Sequence, residues 1–387
     1  MQLLFSAASR IGLLAGLLFL AACGSTPELE PMELQDFERQ AQLQRLWSTG
    51  VGSGQDVRYT LLTPALVDEV IFATDVKGRV TALDRSNGKR IWETKLDEPV
   101  SGGVGVGSGT LLLGTYNAEV IALNTEDGSE RWRTRVSSEV LSPPQTNGRF
   151  VIVQTFDGRM IGLDHATGEQ RWSYESVLPL LTLRGTSTPL VVGSTAYAGF
   201  ANGKAVALEA DSGLLIWEQR IAIPQGRSEL ERMVDVDATP LLVGNILFVV
   251  SYQGELMALS RATGRPLWSQ SASSVNDLSA GGGNVYMTAT DSSIKAYVTN
   301  SGQLAWENKQ LLRRKLSAPI AIGRYVAVAD EEGGYLHLLS QADGTMVARR
   351  RIDRSGVRSP MRAVDDVLYV YGNGGKMVAL RVGPLDD

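Results

Sequence analysis

The sequence predicts an all-β chain: an eight-bladed β-propeller of four-stranded antiparallel blades, its ring closed by an N-terminal strand. Three observations carry the prediction. A segment reading GRVTALDRSNGKRIW at residues 78–92 returns seven times, the last time truncated. Six of the seven tryptophans end a copy. The 41 glycines punctuate short aliphatic runs, the composition of many strands separated by turns.

Taken in order, the chain opens with Arg10, an apolar run over residues 11–22, and then its single cysteine, Cys23. Such a run is too short to span a bilayer, which needs about 20 residues, so residues 1–22 read as a secretory signal peptide. The order Leu20-Ala21-Ala22-Cys23 resembles the bacterial lipoprotein signal, in which the cysteine becomes the new N-terminus and carries lipid. Cys23 is therefore the predicted lipidation site. A thiol used in this way cannot form a disulfide, so stability in an oxidising compartment must come from packing. Gly24 and Ser25 place no acidic residue after the cysteine, and the expected location is the outer membrane, lipid-anchored on its periplasmic face. Residues 23–43 are polar, contain proline and lie outside the repeat; they read as a tether with one helical turn.

Residues 44–383 are the propeller and 384–387 a short tail. The copies after the first are AEVIALNTEDGSERW (118–132), GRMIGLDHATGEQRW (158–172), GKAVALEADSGLLIW (203–217), GELMALSRATGRPLW (254–268), SSIKAYVTNSGQLAW (292–306) and GYLHLLSQADGTMVA (334–348). The last, GKMVALRVG at 375–383, stops with the chain. Successive copies start 40, 40, 45, 51, 38, 42 and 41 residues apart. Each reads as a strand with period-2 alternation around Val80 and Ala82, a turn built on a carboxylate or amide and a glycine, and a strand ending in tryptophan. A second apolar pair, such as EVIFATD at 69–75, completes four strands per unit, which is a propeller blade. The eighth copy lacks its last strand and the seventh has Ala348 in place of tryptophan. The remaining tryptophan, Trp47, precedes the first copy, so the strand around it is expected to lie beside residues 375–381 and close the ring.

Composition excludes some functions. The balance of −5 with a pI near 5.4 argues against nucleic acid and gives no reason to expect a polybasic membrane patch. There are only two histidines. His165 falls in a turn and reads as a solvated turn residue; His337 falls in a strand and reads as packing. Asp84, Asp164 and Asp211 recur with the turns and read as structural. No nucleophile–His–Asp spacing, phosphate loop or metal-ligand cluster is present, so neither catalytic residues nor a cofactor or metal is expected. The rival is an enzyme, because the repeat also resembles that of the pyrroloquinoline-quinone dehydrogenases; the alternative function is a periplasmic quinone-dependent, dehydrogenase-like propeller.

The ring departs from its own repeat in two places. From the end of a copy to the next proline takes 11 residues after Trp132, 13 after Trp306 and 12 after Ala348, but 17 after Trp172 and 23 after Trp217. Equivalent connections leave one face of a propeller, so two neighbouring blades carry insertions there. The first holds LPLLTLRG, with Leu178, Leu180, Leu181 and Leu183 beside Arg184; the second holds VDVDATP, with Asp235 and Asp237 on one side if extended. Leucines flanked by an arginine are what a protein partner buries.

The lipoprotein signal, the eight repeats and the segments LTLRG and MVDVDATP together resemble the BamB family of outer-membrane protein assembly lipoproteins, over essentially the whole chain after residue 22. The resemblance implies a non-catalytic scaffold that docks on the periplasmic POTRA domains of BamA in the Bam complex and assists folding and insertion of outer membrane proteins, nascent ones being a further partner. It implies partner-binding roles for Leu181, Leu183, Arg184, Asp235 and Asp237.

Overall fold

The structure, a computed structural model, describes residues 29–55 and 61–385. The leader, Cys23 and the last two residues of the tail lie outside the described residues. Eight four-stranded antiparallel sheets form the eight blades, and among the described residues there is no helix. Blade 1 runs outward from Ala65–Val67 through Val70–Thr74 and Arg79–Asp84 to Arg90–Lys95, and blades 2–7 repeat that order. Blade 8 takes its three inner strands from the C-terminus (Arg362–Val364, Val367–Tyr371, Lys376–Pro384) and its outer strand, Ala41–Gly50, from the N-terminus. Trp47 stands opposite Ala379 in that closing pair.

The third strand of a blade is buried on both faces, with Val80, Thr81, Ala82 and Leu83 all inaccessible. Period-2 alternation in exposure is therefore absent. A neighbouring blade covers each face of the sheet, so polar-out positions survive mainly on the outermost strands.

Tryptophan joins the blades. Each indole N–H donates to the carbonyl of a turn residue in the next blade: Trp92 to Thr125, Trp132 to His165, Trp172 to Ala210, Trp217 to Arg261, Trp268 to Thr299 and Trp306 to Gln341, at 2.9–3.0 Å. Trp47 makes the same bond from blade 8 to Arg85 of blade 1, at 3.0 Å. The ring lies on the turn glycine: a Cβ on Gly88, whose φ is +71°, would stand 2.4 Å from the Trp47 ring. Glycine thus serves both the left-handed turn and the close approach. Seven tryptophans make seven joints, and the eighth explains Ala348. The outer two strands of blade 8 come from opposite ends of the chain, so no turn connects them and no turn carbonyl awaits an indole. Ala41 and Leu43 fill the space beside Val347 and Ala348 instead.

Residues 32–40 form no helical turn; they lie along the outer edge of blade 7. Gln40 N–H donates to the Val347 carbonyl, Arg349 donates to the Gln35 carbonyl, and Met32 N–H donates to that of Leu312. Leu34 and Phe37 pack on the cluster of Trp306, Leu311 and Met346, with the Arg349 guanidinium 5.0 Å from the Phe37 ring. Deprived of a tryptophan, this edge is covered by a strap of main chain.

Candidate functional site

In an antiparallel blade, the connections from the fourth strand to the next blade share a face with the turns between second and third strands. Both insertions open on that face. The first runs from the end of Gln170–Glu175 to Leu190–Val192, the second from the end of Leu215–Arg220 to Leu241–Val243. Neither contains regular secondary structure, so side chains and isolated main-chain bonds hold them in place.

Their meeting point is Asp235. It is fully buried, and its Oδ1 accepts the Leu183 N–H at 2.8 Å. Its own carbonyl accepts the Tyr252 N–H of blade 5 at 2.8 Å. Asp237 lies against the backbone of Gly185, where a Cβ would meet its Oδ2 at 2.5 Å. Further along, the buried Ser187 hydroxyl donates to the Ala238 carbonyl at 3.0 Å. Two short turns pin the outer parts: Asn202 donates to Ser176 Oγ and the Val177 carbonyl, and Gln253 donates to the Leu230 carbonyl. Of the five residues singled out by the sequence, Leu183 and Asp235 are bonded to each other and Asp237 lies beside Gly185, next to Arg184 in the chain.

They do not share one kind of surface. Leu180 is 91% exposed, and Leu178 and Leu181 are also exposed. Leu183 is half-buried. Arg184 stays outside: its Nη2 donates to both carboxylate oxygens of Glu139, at 2.9 and 3.1 Å, and its guanidinium lies 5.6 Å from the Phe156 ring. The two aspartates have no cation beside them. Burial pushes Asp235 up to about 6, against the pull of the Leu183 N–H. Burial, and then the Asp235 charge, push Asp237 up to about 8. Asp235, with no exposed surface, acts on the loop from beneath.

Glu139 and Phe156 bear no sequence signal, since they belong to a connection of ordinary length and to a turn. Asn202 and Gln253 occupy the turns between second and third strands, where only the fold brings them under the insertions. His165 is buried, not solvated, because its carbonyl is the dock for Trp132 and its ring is drawn into the joint; burial, then Arg131, lowers its pKa. His337 is buried in blade 7, its Nε2 3.0 Å from Asp330, which also accepts from Arg314 at 2.7 Å. Asp84 and Asp164 accept backbone N–H groups of their turns, whereas Asp211 pairs with Arg149.

Comparison with known proteins adds the following. The family model described as outer membrane protein assembly factor BamB matches residues 76–308. A protein of that name from Pseudomonas aeruginosa is 54% identical over 372 residues, 96% of this chain and 98% of the relative. Its namesake from Escherichia coli is 37% identical over 344 residues, 86% of this chain and 88% of the relative. Among solved structures, BamB from Moraxella catarrhalis matches with a TM-score of 0.81 and 27% identity, over 88% of this chain and all of that one. Quinohemoprotein alcohol dehydrogenase from Comamonas testosteroni matches with a TM-score of 0.71 but 15% identity, over 88% of this chain and 76% of that one, a likeness of fold alone.

Proposed function

The chain belongs to the family of outer membrane protein assembly factor BamB, and we propose that it works there as a non-catalytic, lipid-anchored scaffold on the periplasmic face of the outer membrane, docking through its two inserted loops on the periplasmic POTRA domains of BamA. The observation that carries this reading is the clasp between the loops. Asp235 and Ser187 tie the two segments together from inside while Leu180, Leu181 and Arg184 are turned to solvent. Exposed leucines held by buried hydrogen bonds are preorganised for a partner, which lowers the ordering cost of binding. Two leucines buried against that partner contribute about 1.5–3 kcal/mol each. The roles divide accordingly: Leu181 and Arg184 touch the partner, Leu183 and Asp237 shape the loop, and Asp235 positions it.

The test is binding of the chain to isolated POTRA domains. Arg184→Glu sets a carboxylate against Glu139 and removes the exposed cation offered to the partner, so affinity should fall at least about tenfold. Arg85→Glu, on the opposite face of distant blade 1, should leave it unchanged. Equal weakening by both substitutions, or none by either, would place the partner elsewhere.

A further inference from the structure

The second insertion reaches beyond its two aspartates. Ile221, Ala222 and the run from Met233 to Val236 are buried, whereas residues 223–232 between them stand outside, all exposed except half-buried Pro224. This excursion is closed on itself. The Glu231 carboxylate accepts the Arg227 and Ser228 N–H groups at 2.6 and 3.0 Å, and the Ser228 hydroxyl accepts the Glu231 N–H at 3.3 Å. Such reciprocal capping opens a helix, and here it is confined to a single turn, with the Arg232 N–H donating to the Ser228 and Glu229 carbonyls at 3.2 Å. Gly226 lets the turn close: its φ is +114°, and a Cβ there would stand 2.4 Å from the Glu231 Cβ.

What the turn presents is Leu230. Its side chain is 63% exposed, and Ile223 at the foot of the excursion is 64% exposed. A single exposed leucine is ordinary and needs no partner. These two are not isolated. Of the eighteen large hydrophobic side chains exposed among the described residues, six belong to the two insertions, the others being Val177, Leu178, Leu180 and Leu181. The clasp holds both groups on one support, since Asp235 and Ala238 bind the first insertion at Leu183 and Ser187 and the turn grows from the same segment. Asn202 and Gln253, in equivalent turns of neighbouring blades, bind the Val177 and Leu230 carbonyls at 3.0 and 3.2 Å. Leu230 therefore stands over blade 5 as the leucine-rich loop stands over blade 4.

We propose that Leu230 is a second anchor of the docking surface, offered by its preformed turn to an apolar pocket on the same POTRA domains that meet the first insertion. The proposal rests on the docking reading above. Continuity selects the occupant: two clasped loops on one face present their leucines at fixed separations, which suits one rigid partner. Arg227, Glu229, Glu231 and Arg232 surround Leu230 with exposed charges, the polar rim that accompanies an apolar anchor at protein interfaces. Two cations and two acids leave no net charge for an anionic surface to select, so burial of the leucine decides the partner. A turn already closed by its cap removes part of the cost of ordering that side chain.

The experiment measures affinity of the chain for isolated POTRA domains, with the melting temperature as a check on the fold. Leu230→Asp should weaken binding at least about tenfold and Leu230→Ala at least about threefold, both with unchanged melting temperature because the side chain is exposed. Leu267→Asp, at an exposed leucine on the opposite face of blade 5, should leave affinity alone. Glu231→Ala opens the cap without touching Leu230; it should weaken binding about two- to fivefold in the parent and not at all in Leu230→Ala, the coupling expected of a positioning residue. If Leu230→Asp binds like the parent while Arg184→Glu does not, the proposal is overturned and the docking reading stands. If neither substitution weakens binding, the docking reading itself fails. Equal loss in Leu267→Asp would also overturn the proposal. So would a chain that sediments as a dimer and becomes monomeric in Leu230→Asp with POTRA binding intact, which would assign the turn to a second copy. Loss of binding to an unfolded outer membrane protein alone, in the same variant, would assign it to that client instead.

Discussion

Asp235 gives one carboxylate oxygen to the Leu183 N–H and leaves the other, buried, without a partner. A buried carboxyl without a cation holds its proton more tightly than the unfolded chain does, and half-buried Asp237, two residues on and beside the Asp235 charge, is shifted the same way. The sign of the pH dependence follows. Both groups bind more protons folded than unfolded between their ordinary value and about 6 and about 8, so their contribution to stability is greatest at low pH and falls as pH rises through that window. Hydrogen exchange at the Leu183 amide should therefore be faster at pH 8 than at pH 5 after correction for intrinsic rate. Asp237→Asn should flatten most of that slope. A slope unchanged in Asp237→Asn would mean that Asp237 is ordinarily ionised and the pair is not the source. In blade 7 the sign reverses: burial opposes the charge of Asp330, but the His337 hydrogen bond and the Tyr335 and Arg314 donors hold it down at about 2. Its contribution is present above the ordinary carboxylate value and is lost as pH falls toward 2.

At the scale of elements, the same joint is made seven times with an indole and once without. Trp47→Ala should cost about 3–5 kcal/mol, read by denaturant unfolding, because the ring fills the space over Gly88 and its N–H has no substitute on Arg85. The strap is the element with which blade 7 covers its edge. Replacing residues 32–38 by a Gly/Ser linker should lower stability by a few kcal/mol, since Leu34 and Phe37 leave their cluster and Arg349 loses its partners. Phe37→Ala alone should reproduce about 1–3 kcal/mol of that loss. A melting temperature untouched by the linker would show that the segment lies on the blade without stabilising it.

For the whole molecule, closure is the decisive feature. Blade 8 is held by pairing between residues 41–50 and 376–384, more than 320 positions apart, so the ring cannot close until residues 376–384 have been synthesised. Removing residues 41–50 should expose the long third strand of blade 8 as an unpaired edge and convert a monodisperse protein into aggregates, seen by light scattering. The same closure fixes where the loops and the strap stand around the ring. The clasped loops rise between blades 3 and 5, the strap ends beside blades 6 and 7, and both lie on one face. A propeller holds such sites at fixed distances because every blade is packed on both sides.

The repeat, its period and the tryptophan count were enough to read eight blades, the closing strand and the two outgrown connections directly from the sequence. These are local or periodic properties: turn chemistry, strand length and loop length are written in neighbouring residues. The convergence of Leu183 on Asp235, 52 positions apart, was legible only as two unusual segments on adjacent blades. Its form was not, because burial decides which carboxylate lies beneath the loop and which side chain points outward. Glu139 under Arg184, the buried joint at His165 and the strap on blade 7 left no mark in composition or spacing. Each depends on which surfaces the closed ring brings within hydrogen-bonding distance. The sequence by itself determined the architecture, since that follows from a repeated local rule. Tertiary structure alone decided which side chains hold the loops, which face solvent and where residues 32–40 lie on the ring, since those follow from contacts between residues far apart in the chain.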